Sequence, residues 1–262
     1  YGLWLVMVGA ADSRGVAYDP KGLDLDQVAG IKKAGSSVAS YPEVGRGDWN
    51  TVKLVESVDA DLLLEASPVH LEQGAEPGLS CIRTAMRRGM DVVTPNKGPL
   101  VVAFDELHAL AKAENVAFRY DGTVAGGLPA LYTGMRDLRG AEVIGLEAIP
   151  NLSTGYVMDL LANGIPWTEA TDRARAEGVL EGDGSWDLDG WDAAAKLMIL
   201  ANAVLGYPAA LEDVGRTGVR EIPGQALMDA RERGERYRLL ARAERRENGG
   251  YALTVEPIPI DP

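Results

Sequence analysis

Residues 60–120 read ADLLLEASPVHLEQGAEPGLSCIRTAMRRGMDVVTPNKGPLVVAFDELHALAKAENVAFRY, and this stretch decides the fold. Leucines crowd residues 60–66, a short apolar run closed by Ser67-Pro68. A run of that length bounded by turn residues suits a strand buried on both faces. Residues 79–88 then follow a helical pattern, and residues 91–94 return to a strand that ends at Pro95. A second helix is expected over 104–114 and a third strand over 116–120. Strands separated by helices of about a dozen residues imply βαβ units and a parallel sheet. Towards the N-terminus, residues 3–11 read as a further strand running into Asp12-Ser13-Arg14, with helices over 23–34 and 48–58. Ligands of such sheets bind at the carboxyl ends of the strands. That rule puts Ser13, Arg14, Ser67, Thr94 and Lys97 on one rim.

The second half changes character. A helix is expected over 126–138 and a strand over 142–151, then helices over 154–163, 168–178 and 190–205. Residues 236–243 and 251–258 read as two strands around Asn248-Gly249-Gly250, a hairpin turn signal. The change falls near residues 122–127, which divides the chain into 1–123 and 124–262.

Within the second part, residues 181–196 read EGDGSWDLDGWDAAAK. Five carboxylates (Glu181, Asp183, Asp187, Asp189, Asp192) precede Lys196, and the apolar run LMILANAVLG follows. An apolar helix of that kind is buried, and a buried carboxylate or ammonium is costly unless paired. Two readings fit. Asp189 and Asp192 form a capping-box-like start to the helix, with Asp192 and Lys196 a plain i,i+4 pair. Alternatively, the cluster exists for chemistry.

Totals narrow the function classes. The net charge of −13 argues against duplex nucleic acid or an anionic membrane as partner. A single cysteine, Cys81, rules out a disulfide within one chain and fits a reducing, cytoplasmic setting; its helical surroundings mark it as a buried small hydrophobe. His70 and His108 lack ligand-like spacing, so a zinc site is not expected. No run approaches the roughly 18 apolar residues of a membrane span. The glycine fingerprint G-x-G-x-x-G of a dinucleotide domain is missing: Val8-Gly9-Ala10 lacks its later glycines, and residues 122–127 have the wrong spacing. The chain also starts at Tyr1 rather than Met. The expectation is that the first strand, its loop and its helix precede Tyr1; the competing expectation is a domain that never bound a dinucleotide.

Four motifs then combine. Val92-Val93-Thr94-Pro95-Asn96-Lys97 resembles the V-V-T-A-N-K of homoserine dehydrogenases. Asp121 to Pro129 looks like their E-A-T-V-x-x-G-x-P, and Asn151-Leu152-Ser153-Thr154-Gly155-Tyr156 is similar to their N-G-T-T-N-Y. Gly178 to Lys196 matches G-Y-x-E-x-D-P-x-x-D-x-x-G-x-D-x-x-x-K in spacing throughout. Departures are Pro95 for Ala, Asp121 for Glu, Leu152 for Gly, Val179 for Tyr and Gly184 for Pro. The resemblance implies an α/β fold: a partial Rossmann-type doubly wound parallel sheet as nucleotide domain (1–123), then an α+β substrate-binding and dimerisation domain (124–262). It also implies that the closing segment of the family lies beyond Pro262.

The same resemblance implies NAD(P)-dependent interconversion of L-homoserine and L-aspartate 4-semialdehyde, a step towards threonine and methionine. Lys196 and Lys97 are then the catalytic candidates, with Lys196 ahead because it stands among carboxylates. A desolvated lysine is suited to proton transfer. Substrate binding falls to Glu181, Asp187, Asp192 and Ser153, with Glu181 meeting the substrate ammonium. Cofactor binding falls to Arg14, Lys32, Ser67, Thr94 and Lys97. Arginine suits a 2′-phosphate, whereas Asp12 suits a free ribose hydroxyl, so NADP is preferred over NAD only modestly. Asp121, Val124, Gly126 and Leu128 resemble a site for a monovalent cation such as Na+. The expected partners are a small amino-acid substrate and a second copy of the chain, met through the second domain's sheet. Two alternatives remain: a non-catalytic amino-acid-binding or regulatory relative, and an oxidoreductase for another small polar substrate, which Val179 keeps open.

Overall fold

Two units follow one another along the chain, Tyr1–Tyr120 and Asp121–Pro262. The computed structural model describes residues 2, 4–180, 182–247 and 249–261.

The first unit opens with β1 (Gly9–Asp12) and β2 (Gly15–Tyr18), an antiparallel hairpin. Next come α1 (Leu25–Lys33) and β3 (Gly45–Arg46), which pairs with β2 to complete a three-stranded antiparallel sheet. This corrects the expectation of one parallel strand over 3–11. Residues 4–8 carry no regular structure, and β1 turns straight into a partner that the sequence reading left out. The reason is local. Gly15 has φ 144°, which favours glycine in the turn, and a Cβ there would stand 2.4 Å from the Arg46 carbonyl, so a side chain would also push β3 off β2.

After α2 (Thr51–Ser57), capped by Asn50, the βαβ pattern folds as its periodicity dictates. β4 (Leu62–Leu64), α3 (Gly78–Arg87), β5 (Asp91–Val93), α4 (Lys97–Ala113) and β6 (Phe118–Arg119) follow in turn. The three strands form a parallel sheet in the order β4-β5-β6, with Leu63 opposite Val92 and Val92 opposite Phe118. Ile82, Met86, Leu100 and Leu107 are fully buried in this unit, and Cys81 is buried as its surroundings implied. Burial, with the charges of Glu65 and Glu76, pushes the Cys81 thiol up to about 12. α4 starts well before the expected residue 104. Pro99 reads as a breaker, but it sits in the first helical turn, where its missing N–H would have no partner anyway. The irregularity lies instead at Ala103 (φ −144°, ψ 39°), which kinks the helix.

The second unit begins with α5 (Gly122–Ala125) and α6 (Ala130–Tyr132), the latter running into a wide turn over Thr133–Asp137. The single helix expected over 126–138 is therefore broken, because Gly126 takes φ 59° and Pro129 follows. Then come β7 (Gly145–Ala148), α7 (Leu152–Ala162), α8 (Trp167–Ala176), α9 (Ser185–Leu188) and α10 (Trp191–Ala203). β8 (Val214–Arg216) and α11 (Gly224–Glu232) occupy a stretch that the sequence reading left unassigned. β9 (Arg236–Arg245) and β10 (Tyr251–Ile260) close the unit.

The four strands form one sheet in the order β7-β9-β10-β8. β9 and β10 pair antiparallel from Arg236–Ile260 to Arg245–Tyr251. β8 runs parallel to β10 only opposite Leu253, Thr254 and Val255. Pro257 and Pro259 lie on β10 beyond that reach. α7, α10 and α11 each pack against β9, and Leu197, Met198 and Ile199 bury α10 nearly all round. No described helix is long and apolar enough to cross a membrane.

Candidate active site

The link between β7 and α7, together with α9 and α10, assembles a polar cluster inside the second unit. One helical turn separates Asp192 from Lys196, which sets them on the same face of α10. Lys196 Nζ lies 2.7 Å from Asp192 Oδ2, with the side chains 16% and 6% exposed. Nζ also donates to the Pro150 carbonyl at 2.9 Å. Asn151, the next residue, donates from Nδ2 to Asp192 Oδ2 at 2.8 Å and lies 3.4 Å from Asp187 Oδ1. A buried carboxylate is tolerated when it is paired and hydrogen-bonded, and Asp192 has both an ammonium and an amide partner.

Not every carboxylate of the acidic stretch belongs to this cluster. Asp183 accepts from Ser185 N at 2.9 Å and from Ser185 Oγ at 2.7 Å, bonds that hold its carboxyl below the usual range and shape the loop. Asp189 pairs with Arg220 at 2.9 Å, and its carbonyl accepts from Arg216. The expected cap role of Asp189 is not realised. Gly190, with φ 82°, is the residue before α10, and Asp189 ends α9. Glu181 lies outside the described residues. Ser153 is buried in the first turn of α7.

Two polar side-chain atoms of the described residues are buried without a hydrogen-bond partner, Asn151 Oδ1 and Trp186 Nε1. Both belong to this neighbourhood: Trp186 precedes Asp187 in α9 and stacks on Trp191 at 6.1 Å between ring centroids. Buried groups of that kind are rare in folded proteins and call for a reason.

In the first unit, the ends of β4 and β5 carry a second network. Glu65 Oε1 accepts from Ser67 N at 2.7 Å and also from Ser67 Oγ. Glu65 Oε2 accepts from Thr94 Oγ1 at 2.8 Å. Asn96 donates from N to Thr94 Oγ1 at 3.0 Å and from Nδ2 to Ser67 Oγ at 3.3 Å, while its Oδ1 caps Gly98 N at 2.9 Å. Ser67, Thr94 and Lys97, the first residue of α4, are thus brought together. Glu65 and Asn96, both buried, tie them. Sequence reasoning passed over Glu65 as a tie. Its signal was a carboxylate ending an otherwise apolar strand.

Arg14, in the β1–β2 turn, and Lys32, in the last turn of α1, stand around Asp12. Lys32 Nζ lies 2.6 Å from Asp12 Oδ2, Val38 N donates to the same oxygen at 3.0 Å, and Arg14 N and Ser37 Oγ donate to Oδ1 at 3.0 and 2.8 Å. Burial works to raise this carboxyl, but the four bonds outweigh it and hold it well below the ordinary carboxylate range. The Arg14 guanidinium donates to the Gly35 carbonyl at 2.8 Å.

The residues expected around a monovalent cation are less free. Asp121 Oδ1 accepts from Tyr132 N at 2.7 Å, and the Leu128 carbonyl accepts from Ala130 N at 2.8 Å. Val124 is buried, whereas Gly126 and Leu128 are exposed.

The homoserine dehydrogenase family model matches residues 129–262, the part that carries Asn151, Asp187, Asp192 and Lys196. The chain is 34% identical over 258 residues to a homoserine dehydrogenase of Methanocaldococcus jannaschii, covering 97% of this chain and 75% of that one. The chain belongs to the homoserine dehydrogenase family. An NAD(+)-dependent homoserine dehydrogenase of Pseudomonas canavaninivorans is 33% identical, with 98% of this chain and 72% of that one covered. Among solved structures, a hyperthermophilic archaeal homoserine dehydrogenase in complex with NADPH superposes with a TM-score of 0.80 at 25% identity, covering 97% of this chain and 72% of that chain. The likeness bears out the Rossmann-type α/β reading of the fold.

Proposed function

We propose that the chain interconverts L-homoserine and L-aspartate 4-semialdehyde with a nicotinamide cofactor, the reaction of homoserine dehydrogenases. The single observation that carries the residue assignment is the setting of Lys196. Among the described residues its Nζ meets two acceptors, Asp192 and the Pro150 carbonyl. An ammonium has three donors, so one remains for a substrate oxygen.

A bound nicotinamide cofactor would supply the hydride chemistry, as acceptor for homoserine oxidation and as donor for the reverse reduction. Lys196 handles the proton. In the direction of reduction its ammonium donates to the carbonyl oxygen as negative charge grows there. In oxidation the neutral amine accepts the same proton. Asp192 holds Nζ in place, and Asp187 lies beside it for the substrate's cationic end. Lys97 is assigned to the cofactor side, because it opens α4 next to Ser67 and Thr94.

The first unit's residues fit a nicotinamide dinucleotide. The end of β4 presents Ser67 beside the start of α4, a hydroxyl and a helix N-terminus that suit ribose and phosphate, while Thr94 is buried and serves them by bracing Glu65 and Asn96. That rim is close-packed: a Cβ at Gly78 would meet Asn96 Nδ2 and Ser67 Oγ at 3.0 Å. Because the Asp12 carboxylate already accepts four bonds of its own loop, it is poorly placed to select a ribose hydroxyl. Arg14 and Lys32 beside it favour the 2′-phosphate of NADP. The cation site rests on the resemblance alone and takes no part in these steps. A second copy of the chain is the proposed partner, joined through the β7-β9-β10-β8 sheet.

The test is Lys196→Ala, assayed for homoserine oxidation with NADP+ and with NAD+. Loss of about 10²- to 10⁴-fold in kcat is expected from removing the acid/base group, with the fold kept but Tm lowered, because buried Asp192 loses its ammonium partner. Near-normal turnover would overturn the lysine assignment. The comparisons favour this reading over a non-catalytic relative.

A further inference from the structure

We infer that Asn151 Oδ1 accepts a hydrogen bond from the ammonium of the amino-acid substrate, making Asn151 a specificity-determining residue. The inference rests on the function proposed above. It begins with which end of the amide faces which way. An ionised carboxylate only accepts, and Asp192 carries the charge that pairs with Lys196 at 2.7 Å. The atom 2.8 Å from Asp192 must therefore be the NH₂ of Asn151, which fixes Oδ1 on the other side. Asn151 is 7% exposed. No described donor reaches Oδ1.

A buried acceptor left empty costs the protein its lost hydration, so the site is completed by something that brings a donor. The neighbours say what kind. Asp187 and Asp192 add carboxylate oxygens, and the Pro150 carbonyl adds another acceptor, all close to the same amide. Such surroundings welcome a cation with several donors. The substrate alcohol, by contrast, needs the donor that Lys196 keeps free. Homoserine has one group of the first kind, its ammonium. A substrate without that group would leave Oδ1 unpaired, and this is how a site built on hydrogen bonds rejects close analogues strongly.

The experiment is calorimetric titration of L-2-aminobutyrate, which has the ammonium but no reacting hydroxyl, into the full chain and into Asn151→Ala. Homoserine turnover is measured in parallel. Loss of roughly 10-fold or more in aminobutyrate affinity, as for a hydrogen bond to a charged group, with a matching rise in KM for homoserine, is the expected result. Unchanged affinity overturns the inference, since a water then serves Oδ1. A fall in kcat alone also overturns it, because Asn151 would then act only by holding Asp192. Absence of aminobutyrate binding by the unsubstituted chain overturns it as well. If Asn151→Ala loses its circular dichroism signature, Asn151→Ser gives the same comparison with a polar side chain kept at the position. Aminobutyrate binding that depends on Asn151 in a chain that does not oxidise homoserine would reject the proposed reaction and leave this inference standing.

Discussion

Asp12 shows how one side chain fixes a loop. Its carboxylate gathers Arg14 N from its own turn and Lys32 Nζ, Ser37 Oγ and Val38 N from 20 to 26 residues further along the chain. Because the bonds need the ionised form, the folded carboxyl titrates below its unfolded value, near 3.9 for an aspartate. Stability from this source is therefore complete above about pH 4, wanes as pH falls below it, and vanishes only below the depressed folded value. Asp12→Asn should lower Tm at pH 7, and the gap to the unsubstituted chain should narrow in acid melts below about pH 4. A gap that stays constant with pH would mean that shape, not charge, holds the loop. The sequence reading caught Asp12, Arg14 and Lys32 as a set but cast them as ligand contacts. That Asp12 first serves its own loop depends on Ser37 and Val38, which no local pattern links to it.

Among the elements, the link from α9 into α10 governs the candidate active site. Gly218 packs against it so closely that a Cβ would stand 2.9 Å from Asp189 Cα and 3.1 Å from the Leu188 carbonyl. Both are backbone atoms and cannot swing aside. Gly218→Ala should cost ~1–3 kcal/mol of stability, the range for overpacking, and should raise KM for homoserine by moving Asp187 and Asp192. Tm unchanged together with KM unchanged would show that the link gives way freely. This scale also marks where the sequence was legible. The βαβ core was, because its apolar runs have strand length and its helices keep their period. The pair Asp192–Lys196 was, because i,i+4 spacing determines a helix face. β2 was not, since four residues of ordinary composition form a strand only once Gly15 lets the chain turn back. α6 and its wide turn were misread because Gly126 and Pro129 outweigh the helical pattern around them. Asn151 sat inside a recognised motif, yet its orphaned oxygen exists only in three dimensions.

For the whole molecule, the question is which strand edges are open. β7 is the outer strand of its sheet, flanked by Ile144 and Ile149 at 67% and 48% exposure. β4 is the outer strand of the parallel sheet among the described residues, with Leu64 63% exposed. Exposed apolar edges invite association. If β7 is the dimer edge, light scattering should give twice 27.9 kDa, and Ile144→Asp with Ile149→Asp should halve it. Persistence of the dimer in that variant, with its loss in Leu64→Glu, would move the contact to β4.

The prolines of β10 bear on how far such pairing could run. Past Val255 the strand keeps β9 on one side but has no described neighbour on the β8 side, and at 257 and 259 it has no N–H to offer a newcomer. β8 leaves only three residues of edge beside them. One side of this sheet is thus nearly sterile for growth, while the other is open. A sheet with a single usable edge is spent once that edge is joined to its own copy, so strand addition through this sheet would end at two chains instead of propagating as a fibril.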